Sequence, residues 1–251
     1  MSRARDTDRA WTPADGLASA RRGLIASAWM TLAFVLVFSI APQLDLRLSA
    51  LFFDAHANPP VFPYDRAEWM VEFTRITLLA ANVALAIAVC WWVFELFRPS
   101  RRRLQVTIVA LSLVLGPGLV VNEVLKPLWS RARPRDTTLF AGDQHFTPVY
   151  RLPGDCSRNC SFPSGHGGAA FAPLVGIFVS RRRRWLWCGL ASGGAIGYAR
   201  LLSGSHFLSD ILASGIIVVA VSSLVTLLVI LHDSRRRQRT RTSDPHAGPG
   251  R

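Results

Sequence analysis

Residues 208–231, with the sequence LSDILASGIIVVAVSSLVTLLVIL, decide the fold class of this chain. A helix needs about 20 apolar residues to cross the hydrocarbon core of a bilayer, and this stretch supplies them with one charged residue, Asp210, near its start. Five more stretches qualify or nearly qualify, so the sequence predicts an all-α, polytopic integral membrane protein. Its six predicted transmembrane helices are residues 23–41, 76–97, 104–125, 166–180, 185–202 and 208–231.

The composition agrees with a membrane protein. The chain has 251 residues, 50% of them hydrophobic, and a mean hydropathy of +0.27. Such a chain is not disordered and is too apolar for a soluble domain of this length. We therefore predict one membrane domain, residues 23–232, between a cytoplasmic tail of residues 1–22 and an Arg-rich, disordered cytoplasmic tail of residues 233–251.

The basic residues predict the orientation in the membrane. Six spans place both termini on one side, and that side holds 19 of the 29 basic residues but 6 of the 16 acidic ones. Basic loops mark the cytoplasmic side, so both termini are predicted to be cytoplasmic. The net charge of +13 is thereby explained by topology and lipid headgroups, and no nucleic-acid partner is predicted. Three segments then face the other side: residues 42–75, 126–165 and 203–206.

The first chemically unusual piece is Lys126-Pro-Leu-Trp-Ser-Arg-Ala-Arg133-Pro134, at the outer end of the third predicted span. Lys126 is the only lysine in the chain, beside 28 arginines. An ammonium suits point contact with a phosphate, and an arginine fork suits bidentate contact. The alternative interpretation is a pair of interfacial cations.

The second piece, Pro163-Ser164-Gly165-His166, opens the fourth predicted helix. Helix N-termini bind phosphate through free N–H groups and the positive end of the dipole. Ser164 is a natural N-cap, and Gly165 lets an anion approach the backbone closely. The alternative is a plain capped helix start with an interfacial histidine.

The third piece runs from Arg200 through His206 to Asp210, between the last two predicted spans. Ionisable residues near a membrane are costly and indicate function. The spacing of four residues allows Asp210 to fix the imidazole tautomer of His206, which leaves the other nitrogen free to attack. The alternative is a structural His–Asp pair that caps the last helix.

All three pieces lie on the same side of the membrane in the predicted topology. Three cations, a helix N-terminus and two histidines describe a phosphate pocket with an acid and a nucleophile. The motifs contain no carboxylate cluster for Mg²⁺, so the cations must do the work of the metal, and neither metal nor cofactor is predicted.

The set Lys-x6-Arg-Pro, Pro-Ser-Gly-His and Arg-x5-His-x3-Asp resembles the type 2 phosphatidic acid phosphatase superfamily, which includes lipid phosphate phosphatases, glucose-6-phosphatase and haloperoxidases. Small departures are Ala199, where a serine often precedes the arginine, and Gly167, where alanine or threonine is common. The resemblance implies a phosphohistidine on His206, orientation by Asp210, and acid–base work by His166. It also implies that the phosphoryl oxygens are held by Lys126, Arg133, Ser164, Gly165 and Arg200.

A site at the membrane boundary favours a lipid phosphate as substrate. Residues 155–166 and the segments around Asp45 and Asp54 are similar to bacterial lipid A phosphatases, which implies an inner-membrane enzyme with a periplasmic site. Among lipid phosphates we favour the 1-phosphate of lipid A as the substrate. Phosphatidylglycerophosphate and undecaprenyl pyrophosphate remain alternatives, as do a lipid phosphotransferase and a non-catalytic scaffold. The six spans argue against a haloperoxidase, and the sequence does not fix the oligomeric state.

Cys156 and Cys160 lie in the predicted periplasmic loop, directly before the second piece. The periplasm is oxidising, so we predict a disulfide that stiffens this loop, with two free thiols as the alternative. Cys90 and Cys188 lie within predicted spans and are interpreted as small apolar residues.

Overall fold

A computed structural model describes residues 10–98, 100 and 102–242. That part of the chain is helical, with two isolated β-bridges and no longer strand. Within the described residues, nine α-helices and four π- or 3₁₀-helical segments follow one another. In chain order they are α1 (Pro13–Ile40), α2 (Leu44–Ala50), α3 (Glu68–Leu96), α4 (Arg103–Leu113), a π-helix (Val114–Leu125), α5 (Lys126–Trp129), 3₁₀ turns (Pro134–Asp136 and Thr138–Phe140), α6 (Gly165–Ala170), a 3₁₀ turn (Ala172–Val175), α7 (Gly176–Val179), α8 (Arg184–Leu202) and α9 (Leu208–Thr242).

Four helical stretches of the described residues are long and apolar enough to cross a membrane: Pro13–Ile40, Glu68–Leu96, Arg103–Asp136 and Leu208–Arg239. They correspond to the first, second, third and sixth predicted spans. The fourth predicted span is divided into α6, a 3₁₀ turn and α7, because Pro173 has no N–H to donate to a helical hydrogen bond. The fifth corresponds to α8, whose 19 residues are less apolar.

The ends of the first and last helices differ from the predicted tails. α1 begins at Pro13 because Thr12 and Asp15 form a capping box, in which each side chain bonds to the other residue's backbone. α9 continues to Thr242, so residues 233–242 are helical where disorder was expected. An ion pair between Arg237 and Asp233, one turn apart at 2.8 Å, supports this extension. The rest of the predicted C-terminal tail and residues 1–9 lie outside the described residues.

The helix before the first motif is wound as a π-helix. Pro117 interrupts the regular hydrogen bonds there, and the side-chain amide of Asn122 donates to the Pro117 carbonyl at 2.7 Å. π-helical segments are rare and are frequently found at functional sites. Here the residue that follows is Lys126.

Helix α9 runs through the centre of the bundle, with α1, α4, α6 and the π-helix against it. α8 approaches its neighbours closely through three glycines spaced four residues apart, Gly189, Gly193 and Gly197. A Cβ on Gly193 would lie 2.2 Å from the Phe171 ring, and one on Gly197 would lie 2.6 Å from Ile211. Small residues at such spacing allow close helix packing inside membranes. This packing holds the end of α8, with Arg200, against the start of α9.

Candidate active site

Backbone hydrogen bonds join the three predicted pieces to one another. The Ser164 N–H donates to the Asp210 carbonyl at 3.1 Å, which ties the second piece to the third. The Arg135 N–H donates to the Gly204 carbonyl at 3.0 Å, which ties the segment after the first piece to the third. The Ser161 N–H donates to the Arg131 carbonyl at 2.8 Å, which ties the first piece to the loop before the second. The structure therefore brings the predicted site residues together.

His206 is buried, with 1% of its surface exposed. Its Nδ1 lies 2.8 Å from the Ser161 carbonyl oxygen and 3.6 Å from Oδ2 of Asp210. A carbonyl only accepts hydrogen bonds, so Nδ1 carries the proton and Nε2 keeps its lone pair. The tautomer is the expected one, but a backbone carbonyl, and not the Asp210 carboxylate, makes the direct hydrogen bond that selects it.

The charges around His206 favour its neutral form. Burial lowers the pKa of His206 well below its usual value of 6.5, and the positive charges of Arg133, Arg200 and Lys126 lower that pKa further. Protonation, which would block attack by the imidazole, therefore requires a pH well below 6.5. Since the unfolded chain takes up that proton at a higher pH, folding stability falls as the pH drops below about 6.5.

Two polar groups in this region are buried without a hydrogen-bond partner among the described residues, Nε2 of His166 and Nε of Arg200. The other end of the Arg200 guanidinium donates from Nη1 to Thr74 Oγ1 at 3.2 Å. An unpaired buried polar atom costs free energy, and in a native structure a catalytic role or contact with an ion or water accounts for it.

Arg133 and Ser164 are held by local contacts. Arg133 donates from Nε to the Asn159 carbonyl at 2.9 Å and from Nη2 to Asn159 Oδ1 at 2.8 Å. Ser164 is the N-cap of α6, and its Oγ accepts from the Gly167 N–H at 3.0 Å. At Gly165 a Cβ would lie 2.5 Å from Oδ1 of Asn122, so glycine is the residue that fits.

Arg131 is a central residue for which the sequence patterns predicted no role. Its side chain is 1% exposed and donates from Nη1 to Asp210 Oδ1 at 2.6 Å and from Nη2 to Asp45 Oδ2 at 2.8 Å. The guanidinium carbon also lies 4.3 Å from the centre of the Phe207 ring, a cation–π contact. Arg131 therefore fixes Asp210 beside His206.

Asp45, on the short helix α2, is the second residue without a predicted role. Its Oδ1 accepts from the Ser209 N–H at 3.0 Å, and its Oδ2 accepts from Ser209 Oγ at 2.5 Å. Burial raises the pKa of Asp45 above its usual value, although the adjacent Arg131 guanidinium opposes that shift. The sequence offered one signal for each of these two residues. Arg131 lies inside the first motif, and Asp45 lies in a segment that is similar to bacterial lipid A phosphatases.

Comparison with known proteins agrees with this arrangement. Residues 105–234 match the family model of the PAP2 superfamily, and that range contains all three pieces. A lipid A 4′-phosphatase of Rhizobium leguminosarum is 33% identical over 236 residues, which cover 86% of this chain and 98% of the relative. This chain belongs to the PAP2 superfamily. The resemblance identified from the motifs is thereby confirmed.

Two further relatives extend the comparison. A lipid A 4′-phosphatase of Francisella tularensis subsp. novicida is 29% identical over 76% of this chain and 89% of its own length. A lipid A 1-phosphatase of Rhizobium etli is 28% identical over 80% of this chain and 84% of its own length. No solved structure matches the chain.

The loop before the second PAP2 motif contains a disulfide between Cys156 and Cys160, with Cα atoms 5.6 Å apart. This pair closes the loop next to Asn159, which has a positive φ of 55° and holds Arg133. Backbone bonds at Gly154 and Cys156, which donate to the carbonyls of Trp129 and Ser130, fasten the same loop to the first motif.

Proposed function

We propose that this PAP2 protein is a membrane phosphatase that hydrolyses the 4′-phosphate of lipid A or of a closely related acylated sugar phosphate. The observation that carries the proposal is His206, which is buried and neutral, presents a free Nε2, and experiences the charges of Lys126, Arg133 and Arg200. That combination suits attack on a phosphoryl group whose charge is offset by fixed cations.

The position of the phosphate is proposed from the relatives. The motifs alone led us to favour the 1-phosphate. The relatives with 29%, 33% and 30% identity are named lipid A 4′-phosphatase, whereas a relative with 28% identity is named lipid A 1-phosphatase. We therefore place the 4′-phosphate first and keep the 1-phosphate as the alternative that the substrate assay distinguishes.

In the first proposed step, Nε2 of His206 attacks phosphorus, and the bond from phosphorus to the lipid oxygen breaks. The departing oxygen takes a proton from His166, whose Nε2 is buried without a partner among the described residues. The incoming phosphate offsets the charges of Lys126, Arg133 and Arg200 and thereby favours a proton on His166. Asp210, fixed by Arg131, stabilises the proton on Nδ1 of His206.

In the second proposed step, water attacks the phosphohistidine. His166, now neutral, takes a proton from that water, and the bond between phosphorus and Nε2 of His206 breaks. Inorganic phosphate leaves and both histidines return to their initial states. A lipid phosphotransferase would differ only here, because a lipid hydroxyl would replace the water.

A substrate panel tests the proposal. Purified protein is offered bis-phosphorylated lipid A, its 1-phosphate and 4′-phosphate forms, phosphatidylglycerophosphate and undecaprenyl pyrophosphate, with released phosphate and product masses measured. We expect phosphate release without any added acceptor, and removal of the 4′-phosphate in preference to the 1-phosphate. Preference for another lipid would overturn the substrate assignment. Release that depends on an acceptor would indicate a transferase, and no release from any lipid would indicate a scaffold.

We further propose six membrane crossings, with the broken segment 165–179 and α8 as the fourth and fifth, both termini in the cytoplasm and the site at the periplasmic face of the inner membrane. Single cysteines at positions 145 and 183, in a background with Cys90 and Cys188 replaced by alanine, test this topology in intact cells. We expect an impermeant maleimide to label position 145 and to spare position 183. The opposite pattern would reverse the orientation.

Metal independence is also a prediction. Because three cations and the N-terminus of a helix offset the phosphate charge, we expect phosphate release to be unchanged by EDTA. Vanadate is expected to inhibit, since it mimics the five-coordinate transition state. Activity that is lost on chelation and restored by Mg²⁺ would contradict this account of the site.

A further inference from the structure

A large cavity lies on the flank of the bundle, between α1, α8 and α9, and plays no part in the proposed reaction. Its volume is about 1050 Å³, at the upper end of the range for small-molecule sites. The α1 residues that line it run from Asp15 to Phe38. At about 1.5 Å per residue, that distance is about 35 Å, which is close to the thickness of the hydrocarbon core of a bilayer, about 30 Å.

The cavity is amphipathic along its length. Towards its middle and far end the lining is apolar and includes Met30, Phe34 and Val37 of α1 together with Leu190 of α8 and Ile216 of α9. At its near end the lining is basic and consists of Arg22, Arg181, Arg182 and Arg183. An elongated apolar channel with cations at one end is complementary to a lipid with an anionic headgroup.

Among the residues that the structure describes, the lining of the basic end contains four arginines and one acidic residue. Asp15 is the acidic residue of the lining, and its Oδ2 accepts from the Thr12 hydroxyl at 2.7 Å, while its Oδ1 lies 3.3 Å from Nη1 of Arg181. Within the described lining of the cavity, the pairing of Asp15 with Arg181 leaves the positive charges of Arg22, Arg182 and Arg183 at the mouth. Basic pockets between transmembrane helices bind anionic headgroups for this reason.

We propose that this cavity binds one anionic phospholipid, with an acyl chain along α1 and the headgroup phosphate at Arg22, Arg182 and Arg183. The lipid comes from the leaflet next to these arginines, which is the cytoplasmic leaflet in the proposed topology. The headgroup of this structural lipid therefore lies at the end of the bundle away from the phosphatase site. The inference does not depend on the proposed reaction.

Lipid binding by the full-length protein in detergent tests this inference. Phosphatidylglycerol and phosphatidylcholine with the same acyl chains are titrated separately, and bound lipid is counted by native mass spectrometry. We expect phosphatidylglycerol to bind at least about tenfold more tightly. A triple variant, Arg22→Gln, Arg182→Gln and Arg183→Gln, is expected to weaken that binding by about 100-fold, because each basic residue near an anionic surface contributes about fivefold.

Two controls make the outcome decisive. The matched variant Arg21→Gln, Arg102→Gln and Arg103→Gln removes the same charge at the same end but outside the cavity, and is expected to bind phosphatidylglycerol as the wild type does. Ala26→Phe places a phenyl ring in the cavity lining, keeps every arginine, and is expected to obstruct the acyl chain and weaken phosphatidylglycerol binding. Its lipid-free thermal stability shows that it folds. Equal losses in both triple variants, equal binding of the two lipids, or full binding by Ala26→Phe would overturn the inference.

Discussion

Replacement of His206 by alanine is expected to lower phosphate release by at least about 10⁴-fold, because the variant lacks the attacking nitrogen. Replacement of His166 by alanine is expected to lower it by about 10²–10⁴-fold on a lipid substrate, since only proton transfer is lost. Initial rates with lipid A and with p-nitrophenyl phosphate measure both effects. The second compound has a leaving group that needs little protonation, so it is expected to rescue part of the first step in His166→Ala.

His145→Ala is the matched control for these variants, because that histidine is exposed and lies outside the site. We expect it to retain wild-type rates on both substrates. Equal rescue of His206→Ala and His166→Ala by p-nitrophenyl phosphate would contradict the assigned roles.

Replacement of Arg131 by methionine is expected to destabilise the protein by about 3–5 kcal/mol, because it leaves two buried carboxylates without their cation. Asp45→Asn in the same chain is expected to restore part of the loss, since one buried charge is removed as well. Thermal unfolding in detergent of the two single variants and the double variant measures this coupling. Arg131→Lys keeps the charge, but an ammonium lacks the planar fork that contacts Asp210 and Asp45 together. We therefore expect a reduced kcat with nearly unchanged KM.

Arg151→Met is the matched control for this prediction, because Arg151 is exposed. Its unfolding temperature is expected to equal that of the wild type. If Arg131→Met were as stable as Arg151→Met, the buried ion pairs would contribute nothing to the fold.

Most of the predicted site residues could be found from the sequence because local and global patterns agree. Each motif lies next to an apolar segment, and the arginine distribution places all three motifs on one side of the membrane. Lys126, Ser164, His206 and Asp210 were therefore expected to lie near one another. The structure adds the backbone bonds that join the motifs, such as the Ser164 N–H to the Asp210 carbonyl.

The contacts that sequence reasoning missed depend on long-range packing. Arg131 and Asp45 are 86 residues apart, and Ser161 and His206 are 45 residues apart, so no spacing rule connects them. The spacing of four between His206 and Asp210 predicted a direct hydrogen bond, but the Ser161 carbonyl lies closer to the ring. Backbone partners have no side-chain signature, and only the folded loop places them.

The helix count shows the same limit within single segments. Apolar composition identified the six stretches, and four of them form helices long and apolar enough to cross a membrane. In the segment from Gly165 to Val179, Pro173 divides the helix, so a continuous span was wrong there although the residues remain in helical turns. Hydropathy measures the preference of a segment for lipid, and it does not register that a proline lacks the N–H that a helical hydrogen bond needs.

The most direct test of the central claim is the capture of phosphate on His206. Purified protein is mixed briefly with a ³²P-labelled lipid phosphate, quenched in base, and digested, and the label is located by mass spectrometry. The account predicts base-stable, acid-labile label on the peptide that contains His206, more of it in His166→Ala with labelled p-nitrophenyl phosphate, and none in His206→Ala. Label that persists in His206→Ala, or no label on any active form of the protein, would contradict the covalent mechanism.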